Sequence, residues 1–190
     1  MKAPLLILLS IMPDIDLLLG LTHRGSTHSL ITYALLFLPI LIAYKKAAVP
    51  YFAALTQHTL LGDYTAGPVM MLWPLTQRQY GLGFGMSGSL NIALEWVGFL
   101  TFLVLMQKTG DLKRLLMPHP VNLLLTVPMV EMLLHALFPF GNPLPIALAI
   151  PYLTCIGIFL ISILIDLKQE AVKTWKSLTT KNPKIKLRHN

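Results

Sequence analysis

The sequence predicts an all-α transmembrane bundle of about six spans. Three observations carry that reading. Hydrophobic residues make up 55% of the 190 and charged residues only 12%, against roughly 25% charged in an ordinary soluble domain. Mean hydropathy is +0.66, so a soluble fold of this length could not cover its apolar residues, and lipid must take the place of water. The apolar residues run continuously, which suits helices and not the alternating strands of ~10 residues in a membrane barrel.

The elements follow in order. The first predicted span covers 3–21. It leads straight from Lys2 into Pro13-Asp14-Ile15-Asp16 with no small-residue cleavage site, so it reads as a retained helix and not a signal peptide. The second covers 28–44 and stops at Lys45-Lys46. The third, 50–73, is interrupted by polar residues and by Gly67-Pro68, so it reads as broken or partly re-entrant. The fourth covers 88–106, the fifth 120–138 and the sixth 144–166, each near the ~20 residues that cross a bilayer. These spans form one transmembrane domain, 1–167, followed by a basic tail, 168–190. Trp73 and Trp175 sit where interfacial aromatic anchors belong. Cys155, the single cysteine, lies in an apolar run and reads as a small buried hydrophobe.

Charge sets the orientation. The formal charge is +7, and the last 23 residues hold Lys168, Lys173, Lys176, Lys181, Lys184, Lys186 and Arg188. With both termini in the cytoplasm, the inside segments carry thirteen of the fifteen Lys and Arg, and only Arg24 and Arg78 fall outside. The positive-inside rule favours that arrangement, in the plasma membrane. The basic tail reads as a topology signal and a contact for anionic lipid, so membrane lipids and membrane-protein partners are expected and nucleic acid is not.

Acids and histidines inside such a protein are costly, at ~2.5–3.5 kcal/mol for an Asp at mid-membrane on insertion scales. The first cluster is Asp14 and Asp16, followed by His23, Arg24 and His28. The second is His58 with Asp63. Carboxylate and neutral imidazole together form a ligand set for Zn²⁺ or another divalent first-row ion, with Mn²⁺ as the alternative. In the predicted topology both clusters line one cavity opening to the outside. Plainer readings stand beside this one. Pro-Asp-x-Asp could simply cap and turn a helix, and His23-Arg24 could pair with Asp14 or Asp16 across the turn. Glu131 and His135, four apart on the fifth span, could be a local pair. Glu95 has no partner evident in sequence, and His119 and His189 read as loop and tail residues.

Pro-Asp-Ile-Asp, His-Arg-Gly-Ser-Thr-His-Ser and the His58…Asp63-Tyr64-Thr65 segment ending in Leu72-Trp73-Pro74-Leu75 together resemble the YdjM-like family over about residues 10–100. Its members are described as LexA-binding, inner-membrane-associated, metal-dependent hydrolases. The resemblance implies a ligand set of Asp14, Asp16, His23, His28, His58 and Asp63. Members of the family carry a further histidine upstream of Pro-Asp-x-Asp, whereas no histidine stands among the twelve residues before Pro13 here. The His58-to-Asp63 spacing is five where four is expected. On a regular helix five residues turn roughly 500°, which leaves the two side chains about 140° apart. A helix break between Gly62 and Pro68 is therefore predicted, turning Asp63 toward His58.

Three functions compete at this point. One is a metal-dependent hydrolase at the outer membrane face, acting on a lipid phosphodiester, with Asp16 and Arg24 as catalytic groups and Arg24 neutralising a phosphate. The second is a non-catalytic subunit of a membrane complex. The third is a transporter using Glu95, Glu131 and His135 as a relay, against which the absence of internal repeats argues.

Overall fold

The computed structural model describes residues 2–137 and 144–181. Among these the chain is helical: α1 (Ala3–Ile11), α2 (Ile15–Leu19), α3 (Leu30–Tyr44), α4 (Val49–Gln57), α5 (Tyr64–Ala66), α6 (Ser89–Thr109), α7 (Asp111–Leu115), α8 (Thr126–Leu137) and α9 (Ala149–Lys181). Short 3₁₀ turns join several of them, and one antiparallel bridge, Val69 to Tyr80, ties the loop after α5 to itself.

Four stretches are long and apolar enough to cross a membrane: Leu30–Ala47, Ser89–Thr109, Pro120–Leu137 and Ile146–Thr180. They coincide with the second, fourth, fifth and sixth predicted spans. The other two predicted spans are not among them, for a physical reason in each case. Residues 3–21 are cut by a 3₁₀ turn at Met12–Asp14, where Pro13 has no N–H to continue the helical ladder. Gly20, at φ +65°, then ends α2 after five residues. The third segment carries Gln57, His58, Thr59 and Asp63 along its length.

The third segment also departs from the expected geometry. Its helix does stop at Gly67, whose backbone is extended. What brings Asp63 to His58, however, is not a break after Gly62 but a π-helical turn over His58–Asp63, in which the Tyr64 N–H bonds the Thr59 carbonyl. Bonding from i to i+5 stacks residues five apart, so the odd spacing is what this backbone requires.

Two apolar cores hold the helices. Tyr33, Phe37, Ala48 and Leu55 join α3 to α4. Met106, Leu115, Leu125, Phe159 and Ile163 join α6, α7 and α9 to the 3₁₀ turn at Pro120–Leu125, with Ala3 and Ile7 of α1 packed against them. Leu35, Leu36, Ile42, Val97, Phe102 and Leu153 face outward, as lipid contact demands. α9 has 33 residues, or roughly 50 Å, and so outreaches a ~30 Å hydrocarbon layer. It runs unbroken past residue 168 into the predicted tail, while Lys184, Lys186, Arg188 and His189 lie outside the described residues.

Candidate metal centre

Three backbone irregularities converge here. The 3₁₀ turn between α1 and α2 presents Asp14 and Asp16. A second 3₁₀ turn, Ser26–His28, swings His28 back beneath them. The π turn offers His58 and Asp63 from the third segment. The loop after α5 closes over the top. Leu82, Phe84 and Gly85 donate N–H groups to the carbonyls of Tyr64, Thr65 and Ala66, which a helix end would otherwise leave unpaired. Met70 N–H bonds the Arg24 carbonyl at 3.0 Å, and Leu30 N–H bonds the Met71 carbonyl at 2.9 Å, so the two loops are stitched together.

His28 is fully buried at the centre. Its Nε2 lies 2.9 Å from Asp63 Oδ2 and 3.4 Å from Asp14 Oδ1. His58 Nε2 lies 3.1 Å from Asp63 Oδ2 and 3.2 Å from Asp14 Oδ2. These separations match the edges of a coordination polyhedron: ligands bound at ~2.0–2.2 Å stand ~3 Å apart around an octahedral ion and ~3.5 Å apart around a tetrahedral one. Asp14, His28, His58 and Asp63 each offer a ligand atom within 4.8 Å of the others, so the cluster could hold a metal ion.

The hydrogen bonding sharpens this. Asp14 Oδ1, His28 Nε2 and Asp63 Oδ2 are buried and make no hydrogen bond among the described residues. They are near one another, but the contacts are not directed as hydrogen bonds. An ion held between these three atoms would satisfy them together.

Asp16, His23 and His28 form a second group with ligand spacing. Here the atoms already have partners. Asp16 Oδ1 accepts from His23 Nδ1 at 3.2 Å and Asp16 Oδ2 accepts from Thr27 Oγ1 at 2.8 Å. Thr27 Oγ1 in turn lies 3.1 Å from His28 Nδ1, and the Tyr33 hydroxyl donates to the Thr27 carbonyl. Asp16 is fully buried, whereas His23 reaches the surface. Arg24 Nε donates to Asp63 Oδ1 at 2.8 Å.

All six residues expected as ligands are thus gathered in one place, in two layers. Thr27, Tyr33 and the π turn were not read from the sequence as parts of the site. The hydroxyls within Ser26-Thr27-His28-Ser29 were the available signal for Thr27. Among the described residues His135 Nε2 is buried without a hydrogen bond, so it does not pair with Glu131, and Glu95 lies exposed on α6. Comparisons with protein-family models, curated proteins and solved structures find no match for this chain, so its chemistry is argued from this geometry.

Proposed function

We propose that this chain is a membrane-bound, metal-dependent hydrolase whose centre is the Asp14, His28, His58 and Asp63 cluster. The observation that carries the proposal is the convergence, from three separate backbone irregularities, of buried ligand atoms that face one another at 2.9–3.4 Å and make no hydrogen bond among the described residues. Two imidazoles and two carboxylates favour zinc, with manganese the alternative. A divalent ion supplies Lewis acidity, lowering the pKa of water toward ~7 and polarising a phosphoryl or acyl oxygen. The protein's own part is to hold four donors rigidly and to leave one side open. Asp14 and His58 keep part of their surface exposed, while His28 and Asp63 are buried behind them. A reacting group therefore approaches past His58 and the half-exposed His23.

A lipid phosphodiester fits an entrance set among lipid-facing helices. The resemblance to the YdjM-like family agrees with this chemistry. In the proposed topology all six segments cross, both termini are cytoplasmic and the centre faces outward, as the thirteen-to-two division of basic residues favours. A cysteine probe at Ser26 would be labelled from outside and one at Ser177 would not; the reverse pattern overturns the orientation.

One observation favours a second reading, a non-catalytic subunit with a structural ion. Four protein donors fill a tetrahedral ion, as in closed structural sites, whereas catalytic zinc keeps a position open. The deciding experiment assays the purified, metal-loaded chain on phosphodiester substrates in detergent and in vesicles. Metal-dependent turnover that disappears in Asp14→Asn and His58→Gln supports the hydrolase. Full metal occupancy without turnover on any phosphodiester or ester supports the structural ion.

A further inference from the structure

Granting that the inner four groups bind an ion, we infer that Asp16 and Arg24 are positioning residues of a one-ion centre: Asp16 sets the His28 ring, by its own 3.3 Å contact with Nδ1 and through Thr27, and Arg24 sets the Asp63 carboxylate. The sequence reading makes both Asp14 and Asp16 ligands, with Asp16 and Arg24 also catalytic and Arg24 neutralising a phosphate. The atoms separate these roles.

Asp14 has a buried oxygen that makes no hydrogen bond among the described residues, whereas both oxygens of Asp16 accept hydrogen bonds, from His23 and from Thr27. Each Asp16 oxygen is therefore already engaged by a protein donor. The residue stands at the end of a directed chain. The Thr27 hydroxyl donates to Asp16, which leaves its lone pairs to accept from the His28 Nδ1–H. A proton fixed on Nδ1 leaves Nε2 bare, and Nε2 is the atom facing Asp14 and Asp63. Outer carboxylates commonly fix the tautomer and the ring angle of metal-binding histidines in this way.

Arg24 does the same for Asp63. By holding Oδ1 at 2.8 Å it leaves Oδ2 as the donor toward the ion. Its backbone is in the left-handed region at φ +62°, which is costly for a non-glycine residue and persists when the surroundings enforce it. The enforcing contacts are present. Met70 N–H holds the Arg24 carbonyl, and the guanidinium lies so close to Gly67 that a Cβ there would sit 2.3 Å from Nη1. His23 bonds Asp16 Oδ1 at 3.2 Å, and its ring meets the His28 ring edge-on at 5.1 Å.

The test uses the full chain in detergent with cobalt(II) alone as the probe, read by visible absorption and by chelator competition. Wild type is expected to bind one ion per chain. Asp16→Asn and Arg24→Gln are expected to keep that stoichiometry and the same ligand-field spectrum while losing 10–100-fold in affinity, the usual effect of an outer partner. His28→Gln is expected to change the spectrum or abolish binding. Should Asp16→Asn fail to fold, Thr27→Val removes the hydroxyl arm of the link, leaves the direct Asp16–His28 contact, and is expected to show a smaller loss in the same direction. Two ions in wild type with one lost in Asp16→Asn would make Asp16 a ligand and overturn the assignment, as would unchanged affinity in both outer variants. Wild type binding no ion defeats the metal reading itself, a result distinct from either.

Discussion

The buried polar groups around Asn122 and those around His28 are built differently. At the junction of α7, α9 and the Pro120–Leu125 turn, Asn122 donates to the carbonyls of Leu115 and Met117, Ser162 donates to the Leu115 carbonyl, and Asp166 accepts the His119 N–H. There side chains serve the backbone, pairing groups that a helix end leaves open. Around His28, side chains meet other side chains, and the atoms nearest the middle are the ones left without a hydrogen bond. Buried polarity that ends on backbone holds a fold together. Buried ligand atoms that converge on one another could hold a metal ion. The separation is not perfect, because Asp166 Oδ2 is also buried and unpartnered, but it stands alone where the centre has three.

The comparison can be broken by removing what each cluster depends on. The largest effect is expected from stripping the ion. With free metal at about 100 times Kd, occupancy contributes about 2.7 kcal/mol, so chelation is expected to lower the unfolding midpoint clearly. A midpoint indifferent to chelator would place the two clusters in one class. Asn122→Ala comes next. It leaves the Leu115 and Met117 carbonyls without this donor and is expected to cost about 1–3 kcal/mol, with ion affinity unchanged. Loss of affinity in that variant, measured by chelator competition, would couple the clusters and blur the distinction. The smallest effect is expected from Gly67→Ala. The added methyl meets the end of the flexible Arg24 side chain, which can shift, so a weakening of less than about tenfold is expected, below that of Arg24→Gln.

Much of this was legible in the sequence, and the parts that were not have identifiable causes. Continuous apolar runs give four spans because burial in lipid leaves few other ways to satisfy the backbone. Asp14, His28, His58 and Asp63 stand out because ionisable residues are rare where lipid is the solvent. The division of labour between Asp14 and Asp16 was hidden, because their two-residue spacing fixes neither the 3₁₀ turn nor the Thr27 hydroxyl that takes one of them out of the inner layer. The His58–Asp63 spacing was read as a conflict to be relieved by a break, because sequence periodicity assumes 3.6 residues per turn. A wider turn resolves the conflict without breaking the helix there, and nothing in residues 58–63 announces it beyond the mismatch itself.

The most direct check is a metal analysis of the purified full-length chain beside a His28→Gln, His58→Gln double variant, each folded and washed free of loose ions. One divalent ion per chain in wild type and none above background in the double variant is the result predicted here. A wild-type chain without stoichiometric metal after loading, or a double variant that retains it, would contradict the assignment of Asp14, His28, His58 and Asp63 as a metal centre.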